Sequence, residues 1–253
     1  MIIQMSLDNI PLEILFTILS HLPPGDRLSL RSLSRELRGT IPLAECLKGE
    51  NIQGRFQNLC RTGRAESLIF LHGQGLFESV DVRAANNLAL RLACECGRLE
   101  VVRCLREEFG LGPEDARAQD NYALGLACHN GHLEVVRCLR EEFGLGSEDA
   151  RAQDNWALRL ACAHGQLGVV RCLKEEFGLG ATDARADSNF ALRWACIKGH
   201  LEVVRFLRES FGLGAEDARA QDSAALRRAC DYGRFEVVRF LRKGFGLGVD
   251  SGA

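Results

Sequence analysis

Hydrophobic residues recur along most of the chain in a pattern that repeats every 34 residues. From Asn121, small and apolar residues at helical spacing run to a central glycine, and a second apolar run then extends from Leu133 to about Phe143. The central glycine returns as Gly63, Gly97, Gly131, Gly165, Gly199 and Gly233. Such a period predicts a stack of helical units, because one unit cannot bury its apolar face without neighbours.

The repeat also sets the domain boundaries. We expect an array over 53–253, with units 53–86, 87–120, 121–154, 155–188, 189–222 and 223–253. The later units open on a residue that we interpret as the N-cap of the first helix: Asn87, Asn121, Asn155, Asn189 and Ser223. The second helix ends before a glycine such as Gly144, and the following Leu145 is typical of a left-handed helix cap.

Positions that recur from unit to unit are predicted to build the core. In the unit 121–154 they are Ala123, Leu124, Ala127, Cys128, Gly131, Val135, Val136, Leu139, Phe143 and Gly144. Most of the eleven cysteines also fall into rows, one of them Cys60, Cys94, Cys128, Cys162, Cys196 and Cys230. A small apolar residue repeated in this way indicates packing, so we expect reduced thiols rather than disulfides or a zinc site. Arginine rows that include Arg137 and Arg151 predict ion pairs between units.

The first 44 residues do not share the repeat. Apolar residues at helical spacing follow Pro11, Pro23-Pro24-Gly25 stops that helix, and Asp26 is a credible N-cap for a second one. The pattern from Ile10-Pro11 through Leu37 resembles an F-box, the helical module that docks on the Skp-type adaptor of cullin-RING ubiquitin ligases. The resemblance implies adaptor contacts at Pro11, Ile14, Leu15, Ile18, Leu19, Leu22, Leu28 and Leu33. An amphipathic helical pair that only caps the array is the alternative.

A second resemblance covers residues 53–250. Gly-His-Leu-Glu-Val-Val-Arg-x-Leu, as in Gly131 to Leu139, and the preceding Ala-Leu-x-x-Ala-Cys resemble the two helices of an ankyrin repeat. The usual Thr-Pro-Leu-His turn is missing, and the connector is about three residues shorter than in ankyrin repeats. We therefore predict a mainly α protein: an F-box-like module over 1–44, a short junction over 45–52, and an ankyrin-type α-solenoid with shortened connectors. The combination is similar to ankyrin/F-box proteins of large DNA viruses.

The composition and the motifs of the chain argue against several classes of function. The net charge of −2 argues against bulk electrostatic binding of nucleic acid or membrane, and no run reaches the roughly 18 apolar residues that a membrane span needs. We expect a protein of the cytoplasm or nucleus, of a host cell if it is viral. Gly144-Leu-Gly146 lacks the third glycine of a dinucleotide-binding loop. Neither Cys94-x-Cys96 nor the pair of His129 and His132 has the further ligands that a metal site needs. We predict no cofactor, metal or catalytic site.

Positions that vary between units are free of the stacking requirement and form the candidate target surface. In ankyrin-like stacks they line the concave face, where aromatic and basic side chains are typical binding anchors. They include Tyr122, His129, Asn130, Trp156, His164, Phe190, Trp194, Lys198 and Tyr232. Packing between units is the alternative for the aromatic residues. The two resemblances together predict a substrate receptor of an SCF-type ligase. Its expected partners are a Skp-type adaptor with its cullin complex and an unknown target protein. The alternative function is a non-catalytic scaffold or competitive inhibitor.

Overall fold

The computed structural model describes residues 52–73, 75 and 77–247. The chain divides into two units, 1–50 and 51–253, and the described residues belong to the second. Its helices are α1 (Ile52–Thr62), α2 (Ala65–Gly73), α3 (Ala84–Glu95), α4 (Leu99–Glu107), α5 (Pro113–Ala116), α6 (Ala118–Asn130), α7 (Leu133–Glu141), α8 (Ser147–Ala163), α9 (Leu167–Glu175), α10 (Ala181–Ala184), α11 (Ala186–Lys198), α12 (Leu201–Phe211), α13 (Ala215–Asp231) and α14 (Phe235–Gly244). Within these ranges no residue is in a strand, as the shortened connectors predict.

The helices form two layers, as expected for an ankyrin-type solenoid. The first helices of the units (α1, α3, α6, α8, α11 and α13) pack against one another in series, and this first-helix layer is one side of the stack. The second helices (α2, α4, α7, α9, α12 and α14) form the second-helix layer in the same way. Each first helix also contacts the second helix of its own unit, so the core lies between the layers.

The core is built largely from the rows that the repeat predicts. Leu124, Cys128, Val136, Leu139 and Phe143 are all fully buried. Two predictions about these rows are wrong: Gly144 and Cys230 are exposed. The cysteine belongs to the last unit, where no described helix follows to cover it. The glycine recurs for its backbone, because its φ of 69° is left-handed and it caps α7, with the Leu145 N–H bonded to the Leu139 carbonyl at 3.2 Å.

The central glycine of each unit serves two purposes. Gly131 has a φ of 76° and ends α6, and the His132 N–H behind it bonds to the Ala127 carbonyl at 3.0 Å. A Cβ on Gly131 would also overlap the side chain of Gln166 from the next unit. That side chain passes over the glycine and donates to the His129 carbonyl at 3.2 Å. Glycine is therefore needed both for the turn and for the hydrogen bond that links two units.

The same link occurs at every junction between the described units. The residue after the central glycine donates to a carbonyl of the preceding unit through Arg98, His132, Gln166, His200 and Arg234. The histidines donate from Nε2, which fixes that ring nitrogen as the protonated one. The sequence hides this row because its residue types differ, although each of them carries a side-chain N–H donor.

The connectors contain a short helix and then a left-handed turn. At the boundary between the units 87–120 and 121–154, the turn comprises Gln119, Asp120 and Asn121, with φ values of 54°, 53° and 63°. The predicted N-cap role of the boundary residues is therefore wrong, since an N-cap has extended backbone. The Oδ1 atoms of Asn87, Asn121, Asn155 and Asn189 are buried without a hydrogen-bond partner. Left-handed backbone costs roughly 1–2 kcal/mol for each such residue, least for Asn and Asp, which explains why these types predominate at the second and third positions of the turn.

The predicted ion pairs between units are present, and in each bridge the aspartate side chain is more buried than the arginine side chain. The Arg151 Nε donates to Asp183 Oδ1 at 2.9 Å, and the other carboxylate oxygen accepts the Gly180 N–H at 2.7 Å. The side chain of Asp183 is only 7% exposed. The same bridge recurs as Arg83 with Asp115, Arg117 with Asp149, and Arg185 with Asp217. It ties each connector to the unit before it.

Candidate protein-binding surface

The predicted target-binding residues lie on the first-helix layer and the turns that follow it, but several of them are occupied by packing between units. The rings of Tyr122 and Trp156 stack with centroids 5.0 Å apart, and both side chains are half-buried. The Trp156 ring also fills the space over Gly125, where an added Cβ would overlap its Cζ3 and Cε3 atoms. These two aromatic residues therefore bind the units to each other.

Arginine and aromatic side chains alternate along this layer. The Arg91 guanidinium lies 5.6 Å from the ring centre of Tyr122, and that of Arg159 lies 4.8 Å from the ring centre of Phe190. In both cases an arginine of one unit covers the ring of the next, a cation–π contact of about 0.5–1 kcal/mol at exposed sites. Glycine replaces the arginine where the ring is the larger one of Trp156. Sequence reasoning missed this coupling between Gly125 and Trp156.

His129 and His164 form a stacked pair with ring centres 3.8 Å apart. Burial lowers the pKa of His129, and His164 lowers it further. The His164 Nδ1 donates to the Leu160 carbonyl at 3.0 Å, and Asn130 donates to the Glu95 carbonyl of the preceding unit at the same distance. Asn130 and His164 are exposed, so their remaining polar atoms face solvent.

Three of the predicted residues meet at one open groove of about 540 Å³ between the last two units. Trp194, Lys198 and Tyr232 contribute to its lining, and the lysine Nζ lies 5.7 Å from the ring centre of the tryptophan. Sequence reasoning missed four of the other lining residues, namely Arg193, Gln221, Arg227 and Arg234. Arg193 and Arg227 went unnoticed because their row recurs and therefore suggests stacking, whereas Arg234 belongs to the row of donors whose residue types differ between units.

The buried thiols stay protonated at neutral pH. Burial raises the pKa of Cys60, Cys104, Cys138 and Cys172 to about 12. In the described part of the chain the cysteines are free, and no group of three or more His, Cys, Asp and Glu side chains could hold a metal ion. None of the helices described is long and apolar enough to span a membrane.

The predicted adaptor-binding residues, from Pro11 to Leu33, lie outside the described residues, as does the module 1–44. The junction 45–52 also lies outside them, except for Ile52, with which α1 begins. Its position stays a prediction.

A two-layered stack of helical pairs with a unit-specific face defines the class of α-solenoid binding proteins. Comparison with known families agrees: the model for ankyrin repeats (3 copies) matches residues 91–183 and 158–250. These matches cover more than half of the chain, which therefore belongs to the ankyrin-repeat family. The F-box domain model matches residues 7–42. The comparison with curated proteins finds no match.

Proposed function

We propose that the chain is the substrate-recognition subunit of an SCF-type cullin-RING ubiquitin ligase. Its F-box docks the Skp-type adaptor, and its ankyrin repeats hold a target protein. The single observation that carries the proposal is that one chain combines an F-box match at residues 7–42 with an ankyrin array. F-box domains generally bind such adaptors and ankyrin repeats generally bind proteins.

Both families are typically non-catalytic, so the ligase partners carry out ubiquitin transfer. The chain contributes proximity, which converts an encounter between target and ubiquitin-loaded enzyme into a step within one complex. The ligase acts in the cytoplasm or nucleus. If the resemblance to proteins of large DNA viruses reflects the chain's origin, these are the compartments of a host cell.

The test is a pull-down of adaptor and cullin by the full chain. Wild-type protein should retain both, whereas Leu15→Asp should lose both, because a carboxylate replaces an apolar side chain that the F-box resemblance places at the adaptor contact. Pro11→Ala should weaken the retention. Lys198→Glu changes the candidate target surface and should leave adaptor retention intact.

A wild-type chain that retains neither adaptor nor cullin would refute the ligase role and favour the scaffold or inhibitor. Circular dichroism of Leu15→Asp supplies the folding control, since the repeat array should keep its helical signal. Loss of adaptor by Lys198→Glu as well would show that the two functions are not separable in the way proposed.

A further inference from the structure

The groove between the last two units lies where the alternation of arginine and aromatic ring stops. Arg193 occupies the same repeat position as Arg91 and Arg159, whose guanidinium groups cover aromatic rings of the following unit. The residue of the last unit that should supply the ring is Ala224. A place that holds an aromatic side chain in earlier units is open here.

The arginine beside this gap is held in place without the ring. Its Nη1 donates to Gln221 Oε1 at 2.6 Å, and its Nη2 donates to the Asp187 carbonyl at 3.2 Å. Arg193 and Ala224 both line the groove, together with the half-buried ring of Trp194 and the 54% exposed side chain of Tyr232. The gap is therefore preorganised for a planar apolar group, which lowers the entropic cost of binding one.

The charge of the groove restricts what accompanies that group. Its lining includes Arg193, Lys198, Arg227, Arg228 and Arg234, and among its described lining residues there is no carboxylate. Cations attract anionic groups, and arginine binds carboxylates through two parallel hydrogen bonds. The chain as a whole carries a net charge of −2, so this positive site is local.

We infer that this groove binds an acidic segment of the target protein by taking one aromatic side chain of that segment into the gap at Ala224. The ring lies against Arg193 as Phe190 lies against Arg159, and flanking carboxylates face Lys198 and Arg228. The inference rests on the proposed function, because it names the kind of target segment that the repeats select.

A single-stranded nucleic acid also has rings and negative charge, but the surface fits it less well. Such strands are bound along a track of cations with successive stacking platforms. Here the gap accommodates one ring, and the equivalent turn positions of earlier units carry Glu95, His129 and Asn130. A short acidic peptide needs only the one gap and the cations around it.

The decisive variant is Ala224→Phe, which places the protein's own ring in the gap. The fold should tolerate the ring, because aromatic residues occupy this position in three earlier units, so its urea midpoint should equal or exceed that of wild type. Leu88→Phe is the matched control, since it adds a ring in the same row far from the groove. The probe is a fluorescein-labelled eleven-residue peptide with a central phenylalanine between glutamates and aspartates, followed by fluorescence anisotropy with the full chain.

Wild type and Leu88→Phe should bind this peptide with similar affinity, and Ala224→Phe should bind at least tenfold more weakly. Changing the peptide's phenylalanine to alanine, or its acids to amides, should each weaken binding at least tenfold. Equal binding by Ala224→Phe and wild type would overturn the inference, as would peptide binding that is indifferent to either change. A twelve-residue oligouridine that binds more tightly than the peptide would also overturn it.

The adaptor pull-down separates this inference from the proposed function. If Ala224→Phe loses the peptide while wild type fails to retain adaptor and cullin, the groove is a peptide site in a protein with another role. If adaptor and cullin are retained but the peptide does not bind, the ligase role stands and the inference about the groove is wrong.

Discussion

The pairing of Gly125 with Trp156 predicts that two substitutions compensate each other. Gly125→Arg alone forces a side chain into the space of the indole ring, and overpacking of this kind costs about 1–3 kcal/mol. Replacing a helical glycine returns about 0.8–1 kcal/mol of helix propensity. Trp156→Phe alone leaves space beside the glycine, at a cost of about 1–2 kcal/mol. The double variant recreates the pair of Arg159 and Phe190, so we expect a near-native free energy of unfolding and a coupling of about 1–3 kcal/mol.

The assay is urea unfolding of the four proteins, followed by circular dichroism at equal protein concentration. The control combines Trp156→Phe with Gly180→Arg, because an added Cβ at that glycine meets nothing within 4 Å. That pair should be additive within about 0.5 kcal/mol. If Gly125→Arg and Trp156→Phe are also additive, the ring does not occupy the arginine's place and the account of the alternating row is wrong.

Three further outcomes follow from the links between units. Arg151→Met removes the guanidinium from the carboxylate of Asp183, which keeps the Gly180 N–H, and should lower the free energy of unfolding by about 1–3 kcal/mol; an unchanged urea midpoint would contradict a stabilising role for this bridge between units. In the described part of the chain, a maleimide should modify only Cys96 and Cys230 until urea unfolds the protein, as mass spectrometry can check. Burial lowers the pKa of His200, so the unfolded state binds more protons than the folded state and stability is lost as the pH falls below 6.5. His200→Gln introduces the residue that the preceding unit has at this position, and it should make the free energy of unfolding depend less on pH between pH 7 and 5. The same pH dependence in the variant and the wild type would refute this.

The sequence predicts the layered fold because the same packing contacts recur every 34 residues and require the same residue types. Residues such as Leu124 and Cys128 recur for that reason, and the structure confirms them as core. The left-handed turn at Asn121 was not predictable from the same pattern. An asparagine before a helix satisfies the composition of an N-cap and of a left-handed turn equally well, and only the backbone distinguishes them.

The candidate surface was harder to predict for a related reason. Variation between units marks positions released from the core, but it does not distinguish a contact with the next unit from a contact with a partner. The large ring of Trp156 is matched by a glycine at position 125 of the preceding unit, so its residue type is set by a contact between units. Arg193 recurs and so resembles a stacking residue, although its partner ring is missing. Detecting such a gap requires reading two rows jointly rather than one at a time.

The fixed offsets of the links between units have a consequence for how such a gene can change. Each donor, such as Gln166, contacts a residue 37 positions earlier, and each arginine that bridges to an aspartate of the next unit, such as Arg151, contacts one 32 positions later. An in-frame loss of 34 codons therefore rejoins surfaces that still match. Loss of the unit 189–222 would bring Arg159 beside Ala224, so recombination among the repeats could move the ring-sized gap to a new neighbourhood without a single new point mutation.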